Sequence, residues 1–298
     1  MSTTEVTPKC AACGKGGDGL KTCNGCKLVK YCNATCQKAH RPDHKKECKK
    51  RAAEQFDEAL FKEPQREECD ICMLPLPLLA SWHTYQECCG KTVCMGCMYA
   101  DRVENHRLLC PFCRTPDWKT QGEYIERLNK RAEGNDAAAV NVLANTYLKG
   151  SRGLPQDNEK ANELWLRAGK LGDAMAYNNI GNSYYQGRGV ERDLKKAKHY
   201  WELAAVGGYV AARHNLGGLE RNEGNMSRAM KHWMNAAGAG WDGSLKEIRQ
   251  GFLSGHVTKD NFEKTLRAHK EATDEMKSEQ REAAGAHFGL PQQRDAYG

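Results

Sequence analysis

Apolar positions in the second half of the chain recur at two distances at once. Ala161, Ala197 and Ala229 are each followed four residues on by Trp165, Trp201 and Trp233, the spacing that places two side chains on one face of a helix. The pair itself returns after 36 and then 32 residues. Leu143, Ile180 and Leu216 repeat in step with it, as do Gly172, Gly208 and Gly240 at the ends of the units. In the best-preserved unit, residues 176–205, Gly187 and Gly189 separate two helical patterns and Asp193 stands where a carboxylate caps the second. The small alanine lets a paired helix approach, and the tryptophan fills the groove. A period in this range predicts a solenoid of helix pairs with an extended concave surface. Residues Trp241–Thr273, with Thr265 in the alanine place, read as a degenerate closing unit. The stripe Met226, Met230, Met234 has i, i+4 spacing and is expected to line core or groove. His199, His214 and His232 fall at unrelated registers and are expected on the surface rather than as ligands. Residues 281–298 carry little apolar content and are expected to fray into a disordered tail.

The first third lacks this periodicity and carries a different signal. All 15 cysteines lie between Cys10 and Cys113, mostly as closely spaced pairs. Met1–Lys9 offers no apolar stretch of the kind an export signal needs, so an intracellular, reducing location is expected, cytoplasmic or nuclear, with zinc rather than disulfides as the use of these thiols. The longest apolar run, Ile71–Trp82, is broken by Pro75 and Pro77 and is too short to span a bilayer. The net charge of +7 would suggest a nucleic-acid partner, but a coordinating thiol is deprotonated. With every thiol ionised and four zinc ions bound, the chain is formally neutral. Residues 1–55 keep a mild positive balance, read as a solvated face, so nucleic acid is not expected as a partner.

Residues 10–48 contain C-x2-C at Cys10/Cys13 and Cys23/Cys26, C-x3-C at Cys32/Cys36, and H-x3-C at His44/Cys48. These are eight ligands for two zinc ions. The H-x3-C step has near-helical spacing, so both groups can face one ion, and the Gly14–Gly19 and Asn24–Gly25 stretches supply turns. About forty residues cannot fold on their own core, and each structural zinc supplies roughly 10–16 kcal/mol in its place. With Y-C-x3-C-Q at Tyr31–Gln37 and H-K-K-E-C at His44–Cys48, the segment resembles a MYND zinc finger. The resemblance implies interleaved sites: Cys10, Cys13, Cys32 and Cys36 on one ion, Cys23, Cys26, His44 and Cys48 on the other. It also implies binding of proline-containing partner peptides through a Gln and a Trp on the last helix. Gln37 matches; Arg41 stands in the Trp place. His40 is expected as a surface residue, since His44 has the ligand spacing.

Residues 67–118 contain Cys69/Cys72, the neighbours Cys88 and Cys89, Cys94/Cys97, and C-P-F-C at Cys110–Cys113. This order resembles a RING finger, again two interleaved zinc sites. Cys69, Cys72, Cys94 and Cys97 would form one, and Cys110 and Cys113 with two ligands from the middle the other. Lys91 occupies the usual histidine place and cannot ligate. The two middle ligands are either Cys88 with Cys89, or one of them with His83. Ligases of this type perform no chemistry on their own side chains; they dock a ubiquitin-conjugating enzyme and position its thioester, a gain of proximity and orientation. The docking residues that the resemblance implies are Ile71, Pro111 and Arg114. The helical repeats resemble the Sel-one-like repeat, a relative of the tetratricopeptide repeat, which implies protein binding.

The fold class is therefore expected to be two small zinc-stabilised cross-brace modules followed by an all-α helical-repeat solenoid. The segments are 1–55, a linker 56–66, 67–118, 119–280 and the tail 281–298. The expected function is a zinc-binding adaptor acting as a RING-type ubiquitin-protein ligase, without a covalent catalytic residue, whose first module and repeats recruit substrate proteins or peptides. The alternative is a non-enzymatic zinc-finger scaffold.

Overall fold

The computed structural model describes residues 8–106 and 109–291. The chain forms two compact units, 1–62 and 63–298.

In the first unit, β1 (Lys21–Thr22) and β2 (Lys30–Tyr31) pair antiparallel and lead into the long helix α1 (Ala34–Phe61). Asn33 caps α1 by accepting from the Cys36 amide at 2.9 Å. Pro42 sits inside the helix, two turns from its start, where its missing N–H costs one rung of the ladder. The helix runs through residues 56–61 of the expected linker, because Lys50 and Arg51 face Glu54 and Glu58 at the spacings that support a helix surface.

The second unit begins with the second cysteine module. A 3-10 turn at Ala80–Trp82 enters the antiparallel hairpin β3 (His83–Gln86) and β4 (Lys91–Cys94), followed by the short helix α2 (Met95–Tyr99) and a π-helical turn at Ala100–Glu104. Eight helices then pair in sequence: α4 (Ala137–Lys149) with α5 (Asn158–Lys170), α6 (Ala174–Gln186) with α7 (Leu194–Val206), α8 (Val210–Asn222) with α9 (Met226–Gly238), and α10 (Asp242–Leu253) with α11 (Lys259–Glu275). The helix α3 (Gln121–Glu133) precedes them, and α12 (Glu279–Phe288) closes the chain.

The repeat registers find their reasons here. Ala161, Ala197 and Ala229 are fully buried, and Trp165, Trp201 and Trp233 are nearly so. The tryptophans of α7 and α9 enter grooves made by glycines of the preceding helix. A Cβ at Gly181 would lie 2.5 Å from Trp201, and one at Gly217 would lie 2.4 Å from Trp233. Asp136, Asp157, Asp173 and Asp193 all cap helices, Asp193 accepting from two amides at 2.9 and 3.0 Å. Gly172, Gly208 and Gly240 turn the chain between units at φ of 108°, 92° and 100°, a conformation that disfavours any side chain.

Thr265 is buried in its alanine place, and Met230 is core with Met226 and Met234 packed against it. His199 is exposed as expected. The surface expectation fails for His232, which is fully buried on α9, and for His214, whose Nδ1 lies 2.9 Å from the Ser244 hydroxyl. Both fall on inward faces of the helix pairs, which the repeat register did not mark for histidine.

The tail also differs from expectation. Residues 279–288 form α12, because Ser278 caps the helix and Arg281 and Ala284 bury against the second module. Residues 292–298 of the expected disordered tail lie outside the described residues. Module and repeats lie within one compact unit. No helix among the described residues is long and apolar enough to cross a membrane.

Candidate metal centres

Four C-x2-C turns share one local design. In the turns starting at Cys10, Cys23, Cys69 and Cys110, the residue after the second cysteine adopts a left-handed conformation: Gly14 at φ 73°, Lys27 at 57°, Met73 at 56° and Arg114 at 63°. Its amide donates back to the carbonyl of the first cysteine at 2.9–3.0 Å. Isolated bridges Lys9↔Gly16, Glu68↔Pro75 and Leu109↔Pro116 close three of these turns, and the β1–β2 pairing closes the fourth. Within such a knuckle, backbone N–H groups point at sulfur. The Cys26 amide is the main reason the Cys23 thiol is held down at about 6, which favours the thiolate a metal needs.

The knuckles assemble in interleaved pairs. Cys10, Cys13, Cys32 and Cys36 gather at one point, and Cys23, Cys26, His44 and Cys48 at a second. Cys69, Cys72, Cys94 and Cys97 meet at a third, and Cys88, Cys89, Cys110 and Cys113 at a fourth. In each group the ligand atoms lie within 4.8 Å of one another. A tetrahedral ion with zinc–sulfur bonds of about 2.3 Å separates its ligands by about 3.8 Å. The Sγ separations Cys23–Cys48 of 3.7 Å, and Cys69–Cys97, Cys72–Cys94 and Cys89–Cys110 of 3.8 Å each, match that edge. Even the close pair Cys13–Cys32, at 3.3 Å, is far beyond a disulfide bond, and all 15 cysteines are free. The donor sets therefore fit zinc at all four places.

Local packing explains each geometry. A Cβ at Gly25 would lie 2.9 Å from the Cys48 sulfur, so the Asn24–Gly25 turn needs its glycine for close approach. His44 presents Nε2, 3.2 Å from Cys26 Sγ. His40 is not a bare surface residue. Its ring stacks on His44 with centroids 5.5 Å apart, and its Nδ1 lies 3.0 Å from the buried Tyr31 hydroxyl. Tyr31 and His40 thus orient the ligand histidine, as outer partners of metal sites commonly do.

In the second module, Cys88 and Cys89 occupy the β3–β4 hairpin turn, where Gly90 at φ 75° lets two adjacent residues face one point. His83 lies elsewhere, opposite Cys94 in the hairpin, and burial followed by the nearby Arg281 cation pushes its pKa down to about 4. The structure brings the adjacent pair together and leaves His83 out. Arg131 of α3 fixes the turn by donating to the carbonyls of Glu87 at 2.8 Å and Cys88 at 3.0 Å.

From the other end of the repeats, Arg281 of α12 reaches the first knuckle. It donates to the carbonyls of Pro75 at 2.7 Å and Leu74 at 3.3 Å and lies 3.6 Å from Cys72 Sγ. Trp82 donates to the Pro291 carbonyl at 2.8 Å and packs on Gly285. Sequence reasoning missed Arg131 and Arg281, since a lone arginine in a polar helix carries no periodic mark. Replacing Arg281, which is 2% exposed, with alanine is expected to cost about 3 kcal/mol by stranding buried carbonyls. Urea unfolding followed at Trp82 checks this.

The implied docking residues stand outside the core. Ile71 is 39% exposed and Arg114 is exposed, while Pro111 is half-buried. Met73 and Phe112 add exposed apolar surface. Lys91 joins the two knuckles, 2.9 Å from Asp70 Oδ1 and 5.4 Å from the Phe112 ring centroid. Lys91 thus serves as a bridge between the Cys69–Cys72 and Cys110–Cys113 turns.

Fold and site together define an adaptor: a cysteine-rich zinc-finger region joined to an all-helical repeat array, an architecture of protein–protein interaction. More particularly, residues 10–48 match the MYND finger, and residues 137–173 and 174–209 match the Sel1 repeat. The second module contributes two of the four cysteine clusters that fit a metal ion. Cytochrome c oxidase assembly factor 7A of Xenopus laevis is 32% identical over 126 residues, 42% of this chain and 53% of that protein. Histone-lysine N-methyltransferase SMYD3 of Homo sapiens is 50% identical over 40 residues, 13% of this chain and 9% of that protein. ERAD-associated E3 ubiquitin-protein ligase component HRD3B of Arabidopsis thaliana is 30% identical over 118 residues, 38% of this chain and 18% of that protein. The chain thus spans about half or less of the length of these relatives.

Proposed function

We propose that the protein is an intracellular RING-type ubiquitin-protein ligase that binds four zinc ions. In this reading the second module docks a ubiquitin-conjugating enzyme, and the first module and the repeats recruit the target. The observation that carries the reading is the arrangement of the two knuckles. Ile71 and Phe112 are exposed on turns bridged by Lys91, with Arg114 exposed directly after the last cysteine. The similarity to a ligase component is in keeping with it.

The test is discharge of ubiquitin from a panel of conjugating enzymes. An apolar residue fully buried by a partner contributes roughly 1.5–3 kcal/mol, so Ile71→Ala is expected to weaken engagement by about tenfold or more. Arg114→Ala is expected to spare docking and slow discharge. Both variants keep their zinc, since neither side chain is core. Acceleration of no enzyme in the panel would leave the scaffold reading in its place.

A further inference from the structure

The face of α1 beside the second metal centre has a composition that the recruitment role alone does not account for. Gln37, Arg41, Lys45 and Lys49 follow one another at i, i+4 and line a cleft whose other wall includes Tyr31 and Cys23. Tyr31 is 2% exposed and is fixed by His40, so this wall is rigid. The three cations are exposed, and among the described residues none of them makes an ion pair, whereas Lys50 and Arg51 further along α1 both pair with glutamates. Asp43 and Glu47, the acidic residues within this stretch of α1, fall about 200° around the helix from the cationic ridge.

The cations are not simply a counterweight to the adjacent metal centre. Three thiolates, a neutral imidazole and a zinc ion carry one net negative charge, and the ridge supplies three positive ones. Their spacing has a natural match. Positions four apart on a helix rise about 6 Å, and alternate side chains of an extended chain lie about 6.6–6.8 Å apart. Gln37, at the end of the ridge, offers a donor and an acceptor suited to a peptide backbone.

We propose that this cleft binds an extended acidic peptide segment of a partner protein, with carboxylates at alternate positions meeting Arg41, Lys45 and Lys49. The inference deepens the recruitment role given above to the first module and rests on that reading. Arg41, which departs from the resemblance at a Trp position, becomes the residue that selects the partner's charge.

The experiment measures fluorescence anisotropy of a labelled ten-residue peptide of alternating Glu and Val with the full zinc-loaded chain at about 0.15 M salt, where charges beyond about 8 Å are screened. The expected result is saturable binding that the Gln–Val analogue does not reproduce. Arg41→Glu and Lys45→Glu each reduce it about tenfold, Arg41→Gln and Lys45→Gln reduce it less, and Lys15→Glu leaves it within about twofold. Zinc content and helicity of each variant are measured alongside, and the glutamine variants carry the test where a reversal fails to fold. Absence of binding to the Glu–Val peptide, equal binding of the Gln–Val analogue, or tighter binding of an oligothymidylate of equal charge would each overturn the proposal. Ubiquitin discharge reads the second module alone. A chain that accelerates discharge yet ignores the acidic peptide therefore loses this inference and keeps the ligase reading.

Discussion

A strong chelator is expected to release four zinc ions per chain and to unfold residues 10–48 outright. That segment buries little beyond Cys10, Cys23, Cys26 and Tyr31, and roughly 10–16 kcal/mol of binding per structural zinc stands in for a core. Helicity will fall in part, because α1 and α12 both lean on cysteine modules. The repeat helices from α4 to α9 should persist, since their cores of Leu143, Ile180, Trp165 and Trp233 contain no cysteine. A thiol-independent zinc indicator counts the ions, and hydrogen exchange locates what melts. Release of two or fewer ions removes one whole module from the assignment. Melting of α6 in the same step as α1 would show that the repeats do not stand on their own packing.

The other large effect lies at Trp201. Its side chain is 3% exposed, fills the groove opened by Gly181, and donates to Asn182 Oδ1 at 3.0 Å. Trp201→Ala should cost about 3–5 kcal/mol through the cavity it leaves, about 10 °C in melting temperature for a unit of this size. Gly181→Val attacks the same contact from the opposite side, since the space a Cβ needs already belongs to the indole. Both variants should retain their full zinc content. Calorimetry on the full chain checks the first statement and elemental analysis the second. A Trp201→Ala chain that melts with the parent would mean that the α6–α7 pair is not a cooperative part of the unit.

Much of this was legible in the sequence because the relevant forces act locally. The Ala–Trp pairs, the capping Asp193 and the unit-ending glycines each respond to a neighbour a few residues away, and each fell where expected. The C-x2-C knuckles are equally local. The grouping of four knuckles into interleaved sites needed a resemblance, and the geometry agrees with it. The adjacent Cys88 and Cys89 were left open against His83 until the hairpin showed both sulfurs facing Cys110 and Cys113. Other features were invisible for the opposite reason. Arg281 acts on Pro75 across 206 positions, and His232 is buried by a helix packing that its own register does not announce. Polar residues carry no periodic signature when their partners are remote. The same limit hid α12, whose few apolar side chains suffice only because a preformed surface receives them.

The double anchoring of the second module carries a consequence for how this protein can change over evolutionary time. Helical-repeat arrays ordinarily lengthen or shorten by whole units, since each unit touches only its neighbours. Here Arg131 holds the module at the entrance of the array and Arg281 holds it at the exit. Duplicating one helix pair between them would move the exit away by about the 8–10 Å of a packing layer, beyond the reach of any side chain. Gene duplication within the array, the usual source of variety in such folds, would therefore cost it one of the two anchors. Point substitution on exposed faces and growth outside the two arginines leave both anchors in place.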